Sequence, residues 1–279
     1  MTTSSAVSVG VADVRRDPNP ASELVTQALM NRLARPDSTS GEWTHVALSD
    51  YSGWIRSHEL EEPITLAYHQ NGAPPAVPLQ MVAVVIARHS LLYSTAERDD
   101  ILGKVYLSTA LPALDATPVR RIPVALPGAR TAWLEREAIA LRPRDDPYPR
   151  QPMSSITAYA REFLEVPYLW GGTSDEGIDC SGLVQLCYRM GGYILPRDGD
   201  QQHDTLAYSV KREEMREGDL IFFGSQEITH VALALNDHEY IHAEGQNYNH
   251  VVINSFRAHD PHYYPRLDEI VWGIKRVIV

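Results

Sequence analysis

The sequence predicts an α+β domain of helices plus antiparallel sheet, preceded by two small all-β barrels. Three observations predict it. Short apolar strands broken by Gly, Pro, Asp and Asn fill the first half of the chain. Four prolines fall within Leu141–Pro152, a run that can continue neither a helix nor a central strand and so reads as a semi-stiff linker. Beyond it, two amphipathic helical patterns are followed by a series of strands, the order expected of an α+β domain with an antiparallel sheet.

The elements follow in order. Residues 1–62 form the first β segment, with Val7, Val9 and Val11 alternating with small residues, then Trp43 to Val46 and Gly53-Trp54-Ile55. A second segment, 63–142, carries apolar runs at Met81–Ala87, Leu91–Ser94, Ile101–Tyr106, Val119–Leu126 and Trp133-Leu134. It shows no clean sequence repeat of the first. Residues 143–152 are the linker and 153–279 the third domain. There, Ser154 or Ser155 is expected to cap a helix over Ile156–Leu164. A second helix starts at Cys180, and strands are expected at 218–224, 230–235, 239–243, 251–253 and 270–274.

Composition narrows the function classes. The 279 residues are 44% hydrophobic, enough for more than one core, and carry a net charge of −11 with scattered basic residues. Neither nucleic acid nor an anionic membrane is an expected partner. The longest strongly apolar run, Val82–Ala87, is far short of a span. The first twenty residues lack the apolar stretch of about seven that an export signal needs. Cys180 and Cys187, on one predicted helix, lie roughly 10 Å apart, beyond disulfide reach, so Cys187 is expected to be a packed thiol. These features together predict a cytoplasmic protein.

The chemistry centres on Cys180. It follows Asp179 and opens a helix, where unpaired N–H groups and the helix dipole favour the thiolate. Two histidines lie downstream on neighbouring predicted strands, His230 after Thr229 and His242 between Ile241 and Ala243. That set supplies a nucleophile (Cys180), a general base and acid (His230) and an orienter (His242). No His-Glu-x-x-His or paired Cys-x-x-Cys occurs, so no metal is expected, and no cofactor.

Tyr168-Leu-Trp-Gly-Gly172, Asp179-Cys-Ser-Gly-Leu183, Pro196-Arg-Asp198, Gly218-Asp-Leu-Ile-Phe-Phe223, Thr229-His-Val231 and Ile241-His-Ala243 occur in that order. Together they resemble the NlpC/P60 family of papain-like cysteine peptidases over essentially all of 153–279. Asp50-Tyr51-Ser-Gly53-Trp54-Ile55 resembles a bacterial SH3 domain, and the second β segment resembles a more divergent SH3-like barrel. The combination is similar to the YkfC-type γ-D-glutamyl-L-diamino acid endopeptidases. The resemblance implies a murein tripeptide or tetrapeptide substrate, cut after γ-D-Glu. It implies that Tyr168 stabilises the oxyanion with the Cys180 backbone N–H, and that Asp179, Ser181 and Asp198 line the substrate. Gly199 stands where the family has a serine. It also implies that an acidic residue and a tyrosine of the first SH3 domain, matched here by Glu23 and Tyr51, read the free amine of L-Ala. A monomer is favoured. Two alternatives remain open: an inactive cell-wall-peptide binding protein, and an amidase or acyl transferase on the same scaffold.

Overall fold

A computed structural model describes residues 4–65, 81–115, 117 and 120–277. The expected strand start at Val119 lies outside the described residues. The chain divides into two compact units, Met1–Pro147 and Tyr148–Val279, so the boundary falls inside the proline run.

The first unit contains both β segments. In the first segment the strands are β1 (Ser5–Val7), β2 (Val11–Arg15), β3 (Leu24–Leu29), β4 (Leu33–Ser40), β5 (Trp43–Ala47), β6 (Ser52–Arg56) and β7 (Leu60–Glu61). In the second they are β8 (Met81–Val85), β9 (His89–Tyr93), β10 (Ile101–Tyr106), β11 (Ala110–Pro112), β12 (Arg121–Leu126), β13 (Arg130–Glu135) and β14 (Ile139–Pro143). The first set pairs in the order β3-β2-β6-β5-β4-β1-β7. The second pairs as β10-β9-β13-β12 and β11-β8-β14, joined by one antiparallel bridge, Ala113–Val124. Strand for strand, the two orders are the same. Even the details recur: Asn31 and Ser108 both take positive φ at equivalent turns, and a 3-10 turn precedes the last strand in each, Ser57–Glu59 and Arg136–Ala138. This is a structural repeat that the sequence does not display. Among the described residues the pairings leave β3 and β7 as outer strands of the first ladder and divide the second into two ladders.

The two β segments are fused rather than separate. Met30 of the first packs into the core of the second beside Leu111 and Val124. Asn31 donates to the Ala110 carbonyl at 2.9 Å, and Arg130 to the Ser8 carbonyl at 3.1 Å.

The second unit has a six-stranded antiparallel sheet. Its strands are β17 (Tyr208–Val210), β18 (Leu220–Phe223), β19 (His230–Ala234), β20 (Glu239–Glu244), β21 (His250–Ser255) and β22 (Val271–Arg276), in the order β17-β22-β18-β19-β20-β21. A small hairpin, β15 (Thr173–Ser174) with β16 (Gly177–Ile178), precedes the main sheet in the chain. The helices are α1 (Met153–Glu162), α2 (Cys180–Met190), α3 (Gly199–Thr205) and α4 (Pro265–Glu269). α2 packs against α1, β19 and β20. One face of the sheet buries Ile221, Phe223, Ala232, Ala234 and Tyr240 in a common core.

Neither serine caps α1. The helix begins at Met153 with Pro152 in the cap position and no side-chain cap; the proline φ of −65° leads directly into the first turn. α3, α4 and β17 had no sequence expectation. Each is short and mostly polar, so packing rather than periodicity makes them.

Candidate active site

Asp179 explains why α2 starts where it does. Its backbone is extended, and Oδ1 accepts from the Gly182 N–H at 2.7 Å, an N-cap. Oδ2 accepts from the Gly171 N–H at 2.8 Å. Arg197, 2% exposed, donates to both oxygens, at 2.6 and 3.0 Å, and to Ser181 Oγ at 2.8 Å. Ser181 Oγ in turn lies 3.3 Å from Asp179 Oδ1. Both carboxylate oxygens are therefore fully engaged. Asp179 and Ser181 build the floor beneath Cys180, with Arg197 as an unforeseen third member. Gly182 is required here by close approach: a Cβ would sit 2.5 Å from the Gly172 carbonyl oxygen.

Cys180 is half-buried and reduced, and Cys187 is buried. The backbone N–H of Val231, next to His230, reaches the Cys180 sulfur, as does that of Ser181, which sets the start of α2 against the start of β19. Burial pushes the Cys180 thiol up to about 12, with the nearby Asp179 carboxylate adding to the rise. Desolvation of the charged sulfur thus opposes the thiolate that the helix N-terminus favours.

His230 and His242 meet across the β19–β20 pair. His230 Nε2 lies 2.8 Å from His242 Nδ1, with the rings edge to face. His242, 1% exposed, continues through Nε2 to Asn254 Oδ1 at 2.8 Å. Burial holds His230 well below its ordinary value, with His242 contributing, and lowers His242 to about 4. Both rings are neutral near pH 7. A neutral His230, one residue before the strand position whose N–H reaches the Cys180 sulfur, has a ring nitrogen able to take up a proton, which is what a general base needs.

Tyr168 reaches the same locality. Burial raises its phenol, and the nearby Asp179 carboxylate adds to the rise, so it stays a hydrogen-bond donor. Gly245 makes room for it: a Cβ there would lie 2.6 Å from the Tyr168 ring. Asp198 stands at the N-cap position of α3 without capping it, half-exposed and accepting from Gln201 at 3.3 Å. Tyr51 and Glu23 belong to the other unit. Tyr51 is partly buried against the first β core, and Glu23 pairs with Arg16 at 2.6 Å. Among the described residues no group of three or more His, Cys, Asp or Glu is placed to hold a metal ion, and no helix is long and apolar enough to cross a membrane.

Asn254 was missed because the apolar run Val251-Val252-Ile253 marks the strand and ends just before it. Its signal is a polar residue buried at the strand's end, 2% exposed.

Known proteins place this geometry. Residues 165–268 match the NlpC/P60 family, and 14–60 match the bacterial dipeptidyl-peptidase SH3 domain. A gamma-D-glutamyl-L-lysine dipeptidyl-peptidase of Bacillus subtilis is 39% identical, the match covering 78% of this chain and 71% of that protein. One of the same name from Bacillus cereus is 28% identical over 80% of this chain and 68% of its own length. The crystal structure of an NlpC/P60 family protein from Bacillus cereus superposes with a TM-score of 0.82 at 22% identity, covering 98% of this chain and 99% of that one. The chain belongs to the NlpC/P60 family and is a cysteine peptidase carrying a bacterial SH3 domain.

Proposed function

We propose that this peptidase hydrolyses the γ-D-glutamyl–diamino acid bond of short murein peptides with a free N-terminal L-alanine, in the cytoplasm and as a monomer, during recycling of cell-wall peptides. The observation that carries the chemistry is the hydrogen bond between His230 Nε2 and His242 Nδ1, beside the strand residue whose N–H reaches the Cys180 sulfur. The two dipeptidyl-peptidases named for γ-D-glutamyl-L-lysine support the bond chosen.

The reaction runs in two halves. Cys180 Sγ attacks the carbonyl carbon while its proton passes to His230. The oxyanion is met by the Cys180 backbone N–H, one of the N–H groups at a helix start with no intrahelical acceptor, and by the Tyr168 hydroxyl. His230 then protonates the leaving amine, and a thioester remains on Cys180. Water, deprotonated by His230, cleaves that thioester and restores the thiol. Asp198 contacts the bound peptide, and Tyr51 with Glu23 receives the L-Ala ammonium. A carboxylate paired to that ammonium selects free peptides over glycan-linked ones.

Mass spectrometry of products from L-Ala-γ-D-Glu-L-Lys, with and without N-acetylation, tests the reading. Release of L-Ala-D-Glu from the free peptide alone is expected, and Cys180→Ala must abolish it. Equal cleavage of the acetylated peptide would instead indicate an amidase that ignores the amine. Glu23→Gln should raise KM for the free peptide; unchanged kinetics would remove Glu23 from the site, where its existing pairing with Arg16 already competes.

A further inference from the structure

The inference rests on the reading of Cys180, His230 and His242 as the reacting set. We propose that Asn254 is a positioning residue that sets the tautomers of both imidazoles, so that His230 keeps a bare Nδ1 for the thiol proton.

The row is anchored at a backbone carbonyl. Asn254 Nδ2 donates to the His262 carbonyl at 2.9 Å, with the Tyr248 hydroxyl at 3.4 Å. A carbonyl only accepts, so it holds the NH₂ end of the amide, and Oδ1 is the end that faces His242. Oδ1 also only accepts. At 2.8 Å, His242 Nε2 must therefore carry a hydrogen. A neutral His242 then has its lone pair on Nδ1, and the 2.8 Å contact to His230 requires His230 Nε2 to donate. The one nitrogen left with a lone pair is His230 Nδ1. Each bond in the row thus has a single permitted direction, and its far end is a main-chain group that cannot rotate.

Proton balance preserves the row during turnover. The Sγ–H bond breaks and an Nδ1–H bond forms, while the sulfur's electron pair goes to the substrate carbonyl carbon. The imidazolium of His230 still donates through Nε2, and His242 still accepts. No other proton moves. An aspartate in place of Asn254 would also accept from His242 Nε2. Its charge would favour a second proton on His242 Nδ1, removing the lone pair that His230 requires. The titratable groups around His242 are His230 on β19, Glu244 and Tyr240 on β20, the ring of the latter 5.4 Å away, and Tyr248 beyond Asn254.

Nitrogen-15 NMR of histidine-labelled protein without substrate tests this directly. Both rings are expected as the Nε2–H tautomer, each with a bare Nδ1. Asn254→Leu should mix the tautomers and lower kcat about 10²-fold, with KM for L-Ala-γ-D-Glu-L-Lys nearly unchanged. Asn254→Asp should move the acidic limb of kcat/KM to higher pH. A His230 carrying its proton on Nδ1 in the unaltered protein would overturn the proposal, as would Asn254→Leu with native tautomers and native kcat. If Asn254→Leu does not fold, the spectrum of the unaltered protein still decides. Absence of hydrolysis by the unaltered protein would remove the proposed function and leave the tautomer result standing.

Discussion

The two sides of Cys180 are built on opposite principles. On one side lies an ionic cluster, Asp179, Arg197 and Ser181, in which the carboxylate takes hydrogen bonds from Gly171, Gly182, Ser181 and both Arg197 terminal nitrogens. On the other lies a neutral row, His230, His242 and Asn254, joined end to end by two contacts of 2.8 Å. The ionic cluster ties its carboxylate to two backbone N–H groups, a hydroxyl and a guanidinium, so it holds geometry. The neutral row has one donor and one acceptor per ring, so it passes direction from one end to the other and ends in a vacant base. Two buried polar networks, comparably well satisfied, therefore serve different ends because one is charged and the other is not.

Substitution separates them. His230→Ala should lower kcat by about 10²–10⁴-fold, the range for loss of a general base, with the urea midpoint of unfolding little changed. Arg197→Met should do the reverse. It leaves the Asp179 charge buried and unpaired, at a cost of about 3–5 kcal/mol in urea unfolding, and the activity of the folded fraction should survive better than in His230→Ala. Equal stability of Arg197→Met and the unaltered protein would mean that the cap on α2, not the ion pair, organises the loop.

Acid should distinguish the two sides next. His242 binds its proton at about 4 in the fold and near 6.5 when unfolded. Between those values the unfolded chain holds more protons, so stability is fully present above pH 6.5 and declines as pH falls towards 4, by about 3 kcal/mol. His242→Gln should flatten that decline in the urea-unfolding profile. The catalytic counterpart has the same sign: His230 is held well below its ordinary value, so the acidic limb of kcat/KM should lie below pH 6.5. A midpoint at or above 6.5 would mean that the resting pair is ionised.

These contrasts also show what the sequence could and could not reveal. Cys180, His230 and His242 could be singled out in the sequence because each sits in a short motif whose chemistry depends on neighbouring residue types. Strands β18 and β19 were legible because burial on both faces makes them near-continuously apolar. Arg197 and Asn254 were not recognised as site residues, although Arg197 stands in a quoted motif, because their roles depend on partners 18 and 12 residues away in sequence. The recurrence of strand order between the two β segments was hidden for a related reason. Topology is held by which strands pair, and apolar residues of different size, Ala34 and Val46 in one core and Leu111 and Val124 in the other, satisfy the same pairing.

The smallest expected effect comes from a residue that belongs to neither network. Gly245→Ala alters no charge and no hydrogen-bonding side chain. Its Cβ would nevertheless come within 2.6 Å of the Tyr168 ring, so the ring must move and its hydroxyl with it. On the proposed mechanism a displaced hydroxyl weakens one of the two oxyanion donors while the Cys180 backbone N–H stays in place. The expected outcome is a fall in kcat of about tenfold, less than the roughly 10²-fold loss expected for Tyr168→Phe, which removes the donor altogether. Because the base row is untouched, the pH midpoint of kcat/KM should not shift in either variant. If Gly245→Ala lowered kcat and moved that midpoint, the Tyr168 side of the cleft would be coupled to the histidine row, and the division of Cys180's surroundings into a fixed side and a proton-carrying side would fail.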